Sequence, residues 1–217
     1  MFCRELVINQ AYHNNFYDGT LDDLVFFDLE WCRDFTARGL VNNKLFGYTM
    51  TRILPQSNRQ YIRIQLIEHR EQERDLIATI VQDIAQFQDK FFVGYGISTS
   101  DIACLRQRLG AIDLTPAVTR MQMFDLQRSG RHPELRQGLN RLFAHLQIPI
   151  QKSIEGKYIY THGVRVLRRQ EGYQAVLQTI YEYCLEDARN YFHIVSNWGH
   201  FFPRLQQRDR LCLPIIL

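Results

Sequence analysis

The sequence predicts an α/β domain: a mixed sheet, with an antiparallel three-strand start and parallel strands after it, flanked by helices. Three observations lead there. An opening block of segments alternates as strands do, later short apolar runs take turns with segments of helical period, and no Gly/Ser/Pro-rich break divides the 217 residues. The composition is globular, 46% apolar and 23% charged, and the chain is long enough for one sizeable core.

The first core strand is the apolar run Leu24-Val25-Phe26-Phe27, entered from a polar, aromatic lead whose Asn14-Asn15 and Asp18-Gly19 pairs are turn signals. Leu45 to Leu54 and Tyr61 to Glu68 alternate, and Pro55-Gln56-Ser57-Asn58 supplies turn residues, so a hairpin is expected. Leu76, Ile77, Ile80, Val81, Ile84 and Phe87 recur at helical spacing behind Asp75. Phe91 to Tyr95 reads as a short strand, and Gly96-Ile97-Ser98-Thr99-Ser100-Asp101 as a tight exit into a helix buried along Ile102, Leu105 and Leu109. Met123 to Leu126 reads as another strand, Leu135 to Leu146 as a helix, and Lys157 to Val166 as an extended stretch. From Tyr173 one apolar side continues to about Trp198, which predicts a long helix. The expected division is a lead over 1–23, a core domain over 24–200 and a tail over 201–217, whose apolar end packs on the core or docks a partner or second copy.

Five cysteines without any C-x-x-C spacing argue against a disulfide framework and a zinc knuckle, and read as mostly buried thiols in a reducing compartment. The start lacks the basic flank and apolar stretch of a signal peptide, and no run approaches the ~20 residues of a membrane span. A cytoplasmic protein with no membrane partner is expected. Net charge is +3, yet residues 102–170 hold 12 Lys/Arg against 4 Asp/Glu, or +8. Such a segment suits contact with polyanions; the alternative is a solvated arginine-rich surface. Arg106, Arg128 and Arg131, with Arg108, Arg136 and Arg141, are the candidates to meet phosphates.

Asp28 and Glu30, two apart at the end of the first core strand, project from one face. A core strand seldom ends on paired carboxylates without a cation to hold them. Asp101, at its helix start, and Asp187, four residues after Tyr183 on the long helix, are candidates to join them. Unit charges about 4 Å apart repel by roughly 4 kcal/mol at an effective dielectric near 20. Against a total stability of about 5–15 kcal/mol, four gathered carboxylates need protons or cations, and an all-oxygen set favours magnesium or manganese.

FFDLEW around Asp28-Leu29-Glu30, GYGISTSDI over Gly94 to Ile102, and YCLED over Tyr183 to Asp187 match in order and spacing the three motifs of the RNase H-like DEDD 3′-to-5′ exonucleases. The tyrosine four before the last acid resembles the tyrosine branch (DEDDy). The second motif is most similar to the proofreading domains of family B DNA polymerases and to free-standing bacterial exonuclease domains. The resemblance runs from about Leu24 to Trp198. It implies an RNase H-like fold and two Mg2+ or Mn2+ ions acting on the 3′ ends of single-stranded or frayed DNA or RNA. It further implies that Asp28 bridges both ions, Glu30 and Asp187 complete the nucleophile side, Asp101 supports the second ion, and Tyr183 aims the water. Family members usually carry asparagine at Gly96 and an aromatic at Ser100. The strand-exit residues Gly96, Ser98 and Ser100 are expected to face the nucleic acid. Trp31 is a candidate for stacking on a base, its alternative being a buried strand tryptophan. Two other functions stay open: a binding or scaffolding module without turnover, and an endonuclease of the same fold.

Overall fold

The structure, a computed structural model, describes every residue except 36–40, 56, 58, 115–119, 129–131, 150–153, 155 and 215–217. Its strands are β1 (Phe2–Ile8), β2 (Leu24–Phe35), β3 (Val41–Leu54), β4 (Arg59–Leu66), β5 (Phe91–Gly94), β6 (Arg120–Asp125) and β7 (Leu211–Pro214). The α-helices are α1 (Glu73–Gln86), α2 (Asp101–Ala111), α3 (Leu139–His145), α4 (Ile159–Leu167) and α5 (Tyr173–Asn197). All seven strands form one sheet in the order β1-β4-β3-β2-β5-β6-β7. Pairing is antiparallel from β1 to β2, parallel from β2 through β5 to β6, and antiparallel again at β7. The mixed sheet with flanking helices is the architecture expected from sequence.

Residues ahead of Leu24 and after 200 supply the two outer strands, so four strands rather than three precede the first helix. β1 is hard to see in the sequence because it buries no residue fully. In the apolar tail, Leu211 and Leu213 of β7 pack on the main core, while 215–217 lie outside the described residues.

β2 is the central organiser. Its side chains alternate: Phe26 stacks on Tyr191 of α5 with ring centroids 5.0 Å apart, whereas Phe27 turns to the other face against Tyr48 and Phe92. The Tyr48 hydroxyl donates to Asp83 of α1, which places α1 on that second face. β2 also runs well past the acids, although Asp28 and Glu30 were expected at a strand end. The parallel ladder with β5 stops at Phe26, so toward β5 the acids do lie beyond the end of pairing. Toward β3 the strand continues, through a bulge after Glu30.

Two further segments differ from expectation. Residues 157–166, expected extended, form a short 3-10 turn and then α4. Its β-branched residues and Gly163 are weak helix formers, but Ile159, Gly163, Val166 and Leu167 bury one helical face, and that packing decides. The helix expected over Leu135 to Leu146 is split into a 3-10 turn at Pro133–Arg136 and α3, because Gly138 between them has φ +102°.

Candidate functional site

Asp28 and Glu30 extend the Phe26 side of β2 and therefore face α5, where the Cys184 thiol donates to Glu30 Oε1 at 3.4 Å. The same helix carries Tyr183 one residue earlier and Asp187, 2% exposed, one turn later. A buried glutamine secures this part of α5: Gln60 of β4 donates to the Ala188 carbonyl at 2.7 Å, and its own oxygen accepts from Tyr12 at 2.7 Å.

Asp101 arrives by a different route. Beyond β5 the chain makes a tight turn with Gly96 at φ +71°, and Asp125 at the end of neighbouring β6 pins it. The Asp125 carboxylate accepts from the backbone N–H groups of Gly96 at 2.9 Å, Ser98 at 3.0 Å and Gln127 at 3.0 Å, and from the Ser98 hydroxyl. Asp125 is 1% exposed and builds the turn that delivers Asp101. Glycine takes positive φ at no steric cost, so Gly96 suits this turn.

The acids act on one another. Asp101 is buried, and burial together with the charges of Asp28 and Glu30 holds its carboxyl well above the usual carboxylate range. The Ser100 hydroxyl, 3.0 Å away, and the Leu29 backbone N–H oppose that shift by hydrogen bonding. Tyr183 is raised far above an ordinary phenol by burial and then by Asp187, Glu30 and Asp28. Tyr191 is shifted the same way by burial and by Asp28 and Asp187.

A cleft of about 490 Å³ is walled by Asp28, Glu30, Trp31, Tyr95, Ser100, Asp101, Tyr160 and Tyr183, whereas Asp187 is buried one turn after Tyr183 and does not line it. Of the residues expected to face nucleic acid, Trp31 and Ser100 line it. Ser98 is engaged by Asp125, and Gly96 sits in the turn behind the wall. Arg106 is half-buried on α2 and Arg128 is exposed after β6; neither lines the cleft, and Arg131 lies outside the described residues. Arg108, a phosphate candidate, is instead buried and bound through Nε and Nη2 to Glu73 at 2.7 and 2.8 Å. Sequence reasoning missed Tyr95 and Tyr160. Tyr95 ties the β5 exit to the segment before α3, donating to the Leu135 carbonyl at 2.7 Å, and Tyr160 was hidden by the extended reading of α4.

A family model described as the RNase_H superfamily matches residues 25–199, most of the chain. The chain belongs to the RNase H superfamily. Among solved structures it is similar to the family B DNA polymerase from the hyperthermophilic archaeon Pyrobaculum calidifontis, with TM-score 0.56 and 18% identity, covering 82% of this chain. The chain spans about a quarter, 24%, of that polymerase's length. No curated protein matches it in sequence.

Whether this RNase H domain suits divalent metals is a question of donors. Asp28, Glu30, Asp101 and Asp187 offer only oxygen, and the strongest influences opposing the upward shift of Asp101 are hydrogen bonds rather than a cation. Among the described residues no group of three or more Asp, Glu, His or Cys side chains is arranged to hold a metal ion. The fit therefore rests on donor chemistry and on mutual repulsion that cations would relieve. Among the described residues no helix is long and apolar enough to cross a membrane.

Proposed function

We propose that this chain is a metal-dependent 3′-to-5′ exonuclease of the tyrosine branch, hydrolysing phosphodiester bonds at single-stranded or frayed ends. One observation carries the reading. Asp101 of α2 meets Asp28 and Glu30 of β2 in a single cleft with Tyr183 of α5, and Asp187, buried on α5 one turn after Tyr183, acts on that same phenol.

Asp28, Glu30, Asp101 and Asp187 would hold two Mg2+ or Mn2+ ions. Such ions supply Lewis acidity that activates water and offsets charge on the departing 3′ oxygen. Tyr183 keeps its proton, since burial and then its carboxylate neighbours raise its pKa, and so it orients the attacking water instead of deprotonating it. Ser100 steadies the Asp101 carboxylate, and Cys184 steadies Glu30. Trp31 and Tyr160 offer faces to an unstacked terminal base.

The polymerase likeness supports the fold, and the three sequence motifs support the exonuclease reading. A 5′-labelled single strand incubated with Mg2+ or Mn2+ tests it. A ladder shortening from the 3′ end is expected. Internal fragments would make the protein an endonuclease, and binding without cleavage would make it a scaffold.

A further inference from the structure

Beside the acidic cleft lies a second hollow of about 630 Å³, walled by Trp31, Arg33, Tyr160, Thr161, Val164, Arg165, Arg168 and Gln170. The two share Trp31 and Tyr160, whose rings meet edge to face at 5.1 Å. One hollow is lined by carboxylates, and the next has three arginines and no acid in its wall. We infer that Arg33, Arg165 and Arg168, with Trp31 and Tyr160, form the tract that binds the single-stranded nucleic acid leading into the cleft.

The geometry follows from two periodicities. Arg33 stands two residues beyond Trp31 on β2, so both point to one face. On α4 the buried residues occupy one side, and Tyr160, Thr161, Val164 and Arg165 form the stripe beside it, which Arg168 continues from the residue just after the helix. Arg165 is steadied by its bond to the Glu171 carbonyl at 3.1 Å. Tyr160 registers both compartments: partial burial and then Glu30 and Asp101 raise its phenol, and Arg33 opposes them.

Guanidinium groups for phosphates and exposed aromatic faces for bases are the combination that grips single strands without reading sequence. Phosphates would shun the carboxylates and settle on the arginines, which gives the strand a direction across the Trp31–Tyr160 wall. An acidic protein segment would use the arginines but not the rings.

This tract deepens the exonuclease reading and rests on it, so its test separates the two. Binding of a fluorescein-labelled oligothymidylate is followed by anisotropy in EDTA, where no metal-dependent cleavage occurs. Hydrolysis of the p-nitrophenyl ester of thymidine 5′-monophosphate, too short to reach the tract, is followed with Mn2+. Arg33→Ala/Arg168→Ala should weaken oligonucleotide binding about tenfold and make the log–log salt slope shallower by about 1.4, at roughly 0.7 per phosphate contact. Ester hydrolysis should stay at the parent rate. If the double variant melts early, the single Arg33→Gln and Arg168→Gln variants carry the comparison. Parent-like affinity and slope, or equal competition by polyglutamate, would overturn the tract. A parent protein that leaves the ester intact would instead count against the nuclease reading, with the anisotropy comparison still valid.

Discussion

The Cys184 thiol reaches Glu30 Oε1 at 3.4 Å across 154 residues of chain, fastening α5 to β2. Burial, then the charges of Glu30 and Asp28, push this thiol well above its usual pKa, and Cys104 is pushed up to about 12 by burial and Asp101. Thiolate is the reactive form, so these cysteines should be inert. Cys3 and Cys212 are exposed, whereas Cys32, Cys104 and Cys184 are buried. Ellman's reagent is expected to titrate two thiols quickly in the native protein and all five in denaturant. Rapid reaction of a third would mean that a core cysteine is open to solvent.

Asp101 makes the metal-free protein sensitive to pH. Its folded-state pKa is raised, while the unfolded value is about 3.9. Stability from its protonated form is therefore complete below that value and is lost as pH rises through the folded pKa. In EDTA, Tm should fall from acid toward neutral pH, and Asp101→Asn should flatten that fall and raise the neutral Tm. The rise would be about 2–4 °C per kcal/mol relieved for a chain of this size. Mn2+ should raise the neutral Tm of the parent more than that of the variant. A variant melting below its parent at neutral pH in EDTA would mean that the Asp101 charge is compensated in the native state.

Much of this arrangement was legible beforehand, for identifiable reasons. Phe26, Asp28 and Glu30 obey the two-residue period of a strand, and Tyr183 and Asp187 the four-residue neighbourhood of a helix, so their faces follow from spacing alone. What escaped depended on contacts remote in sequence. Asp125 looks like any acid after an apolar run, and only the turn folding onto it reveals its role. Tyr160 was lost with α4, whose residue types suggest extension while its apolar spacing forms a helical face. Arg108 carries the same charge as the exposed Arg128, Arg136 and Arg141 and differs because Glu73 waits across the interface.

Asp125→Ala should unmake the Gly96 turn. The buried N–H groups it serves would lose their acceptor, and such a donor costs about 1–3 kcal/mol when unpaired. A loss of roughly 3 kcal/mol in urea unfolding is expected, with hydrolysis reduced because Asp101 follows this turn. A parent-like midpoint would show that the turn stands without it.

Glu73 joins three elements. It accepts from Arg108 on α2, from Lys44 Nζ at 2.8 Å and from the Leu45 backbone N–H at 3.0 Å on β3, while belonging to α1. Breaking one partner of a buried pair typically costs about 3–5 kcal/mol, chiefly through the stranded charge. Glu73→Ala should fall in that range, and Glu73→Met/Arg108→Met should recover part of it. A double variant no better than the single would place the cost in the Lys44 and Leu45 contacts.

Tyr183 separates an aimed water from a deprotonated one. Burial, and then Asp187, Glu30 and Asp28 around it, hold its phenol far above the usual pKa, so it stays protonated across the working range. Tyr183→Phe should lower kcat about 10- to 100-fold, the scale of a misplaced reacting group, with KM little changed. The shape of the pH–rate profile should persist, because the phenol does not titrate within it. Gly156 provides an independent handle: a Cβ there would stand 3.0 Å from the Tyr183 hydroxyl, so Gly156→Ala should crowd the phenol and lower kcat in the parent but not in Tyr183→Phe. Loss of an alkaline limb in Tyr183→Phe would mean the phenol serves as a base, and an unchanged kcat would reduce it to packing.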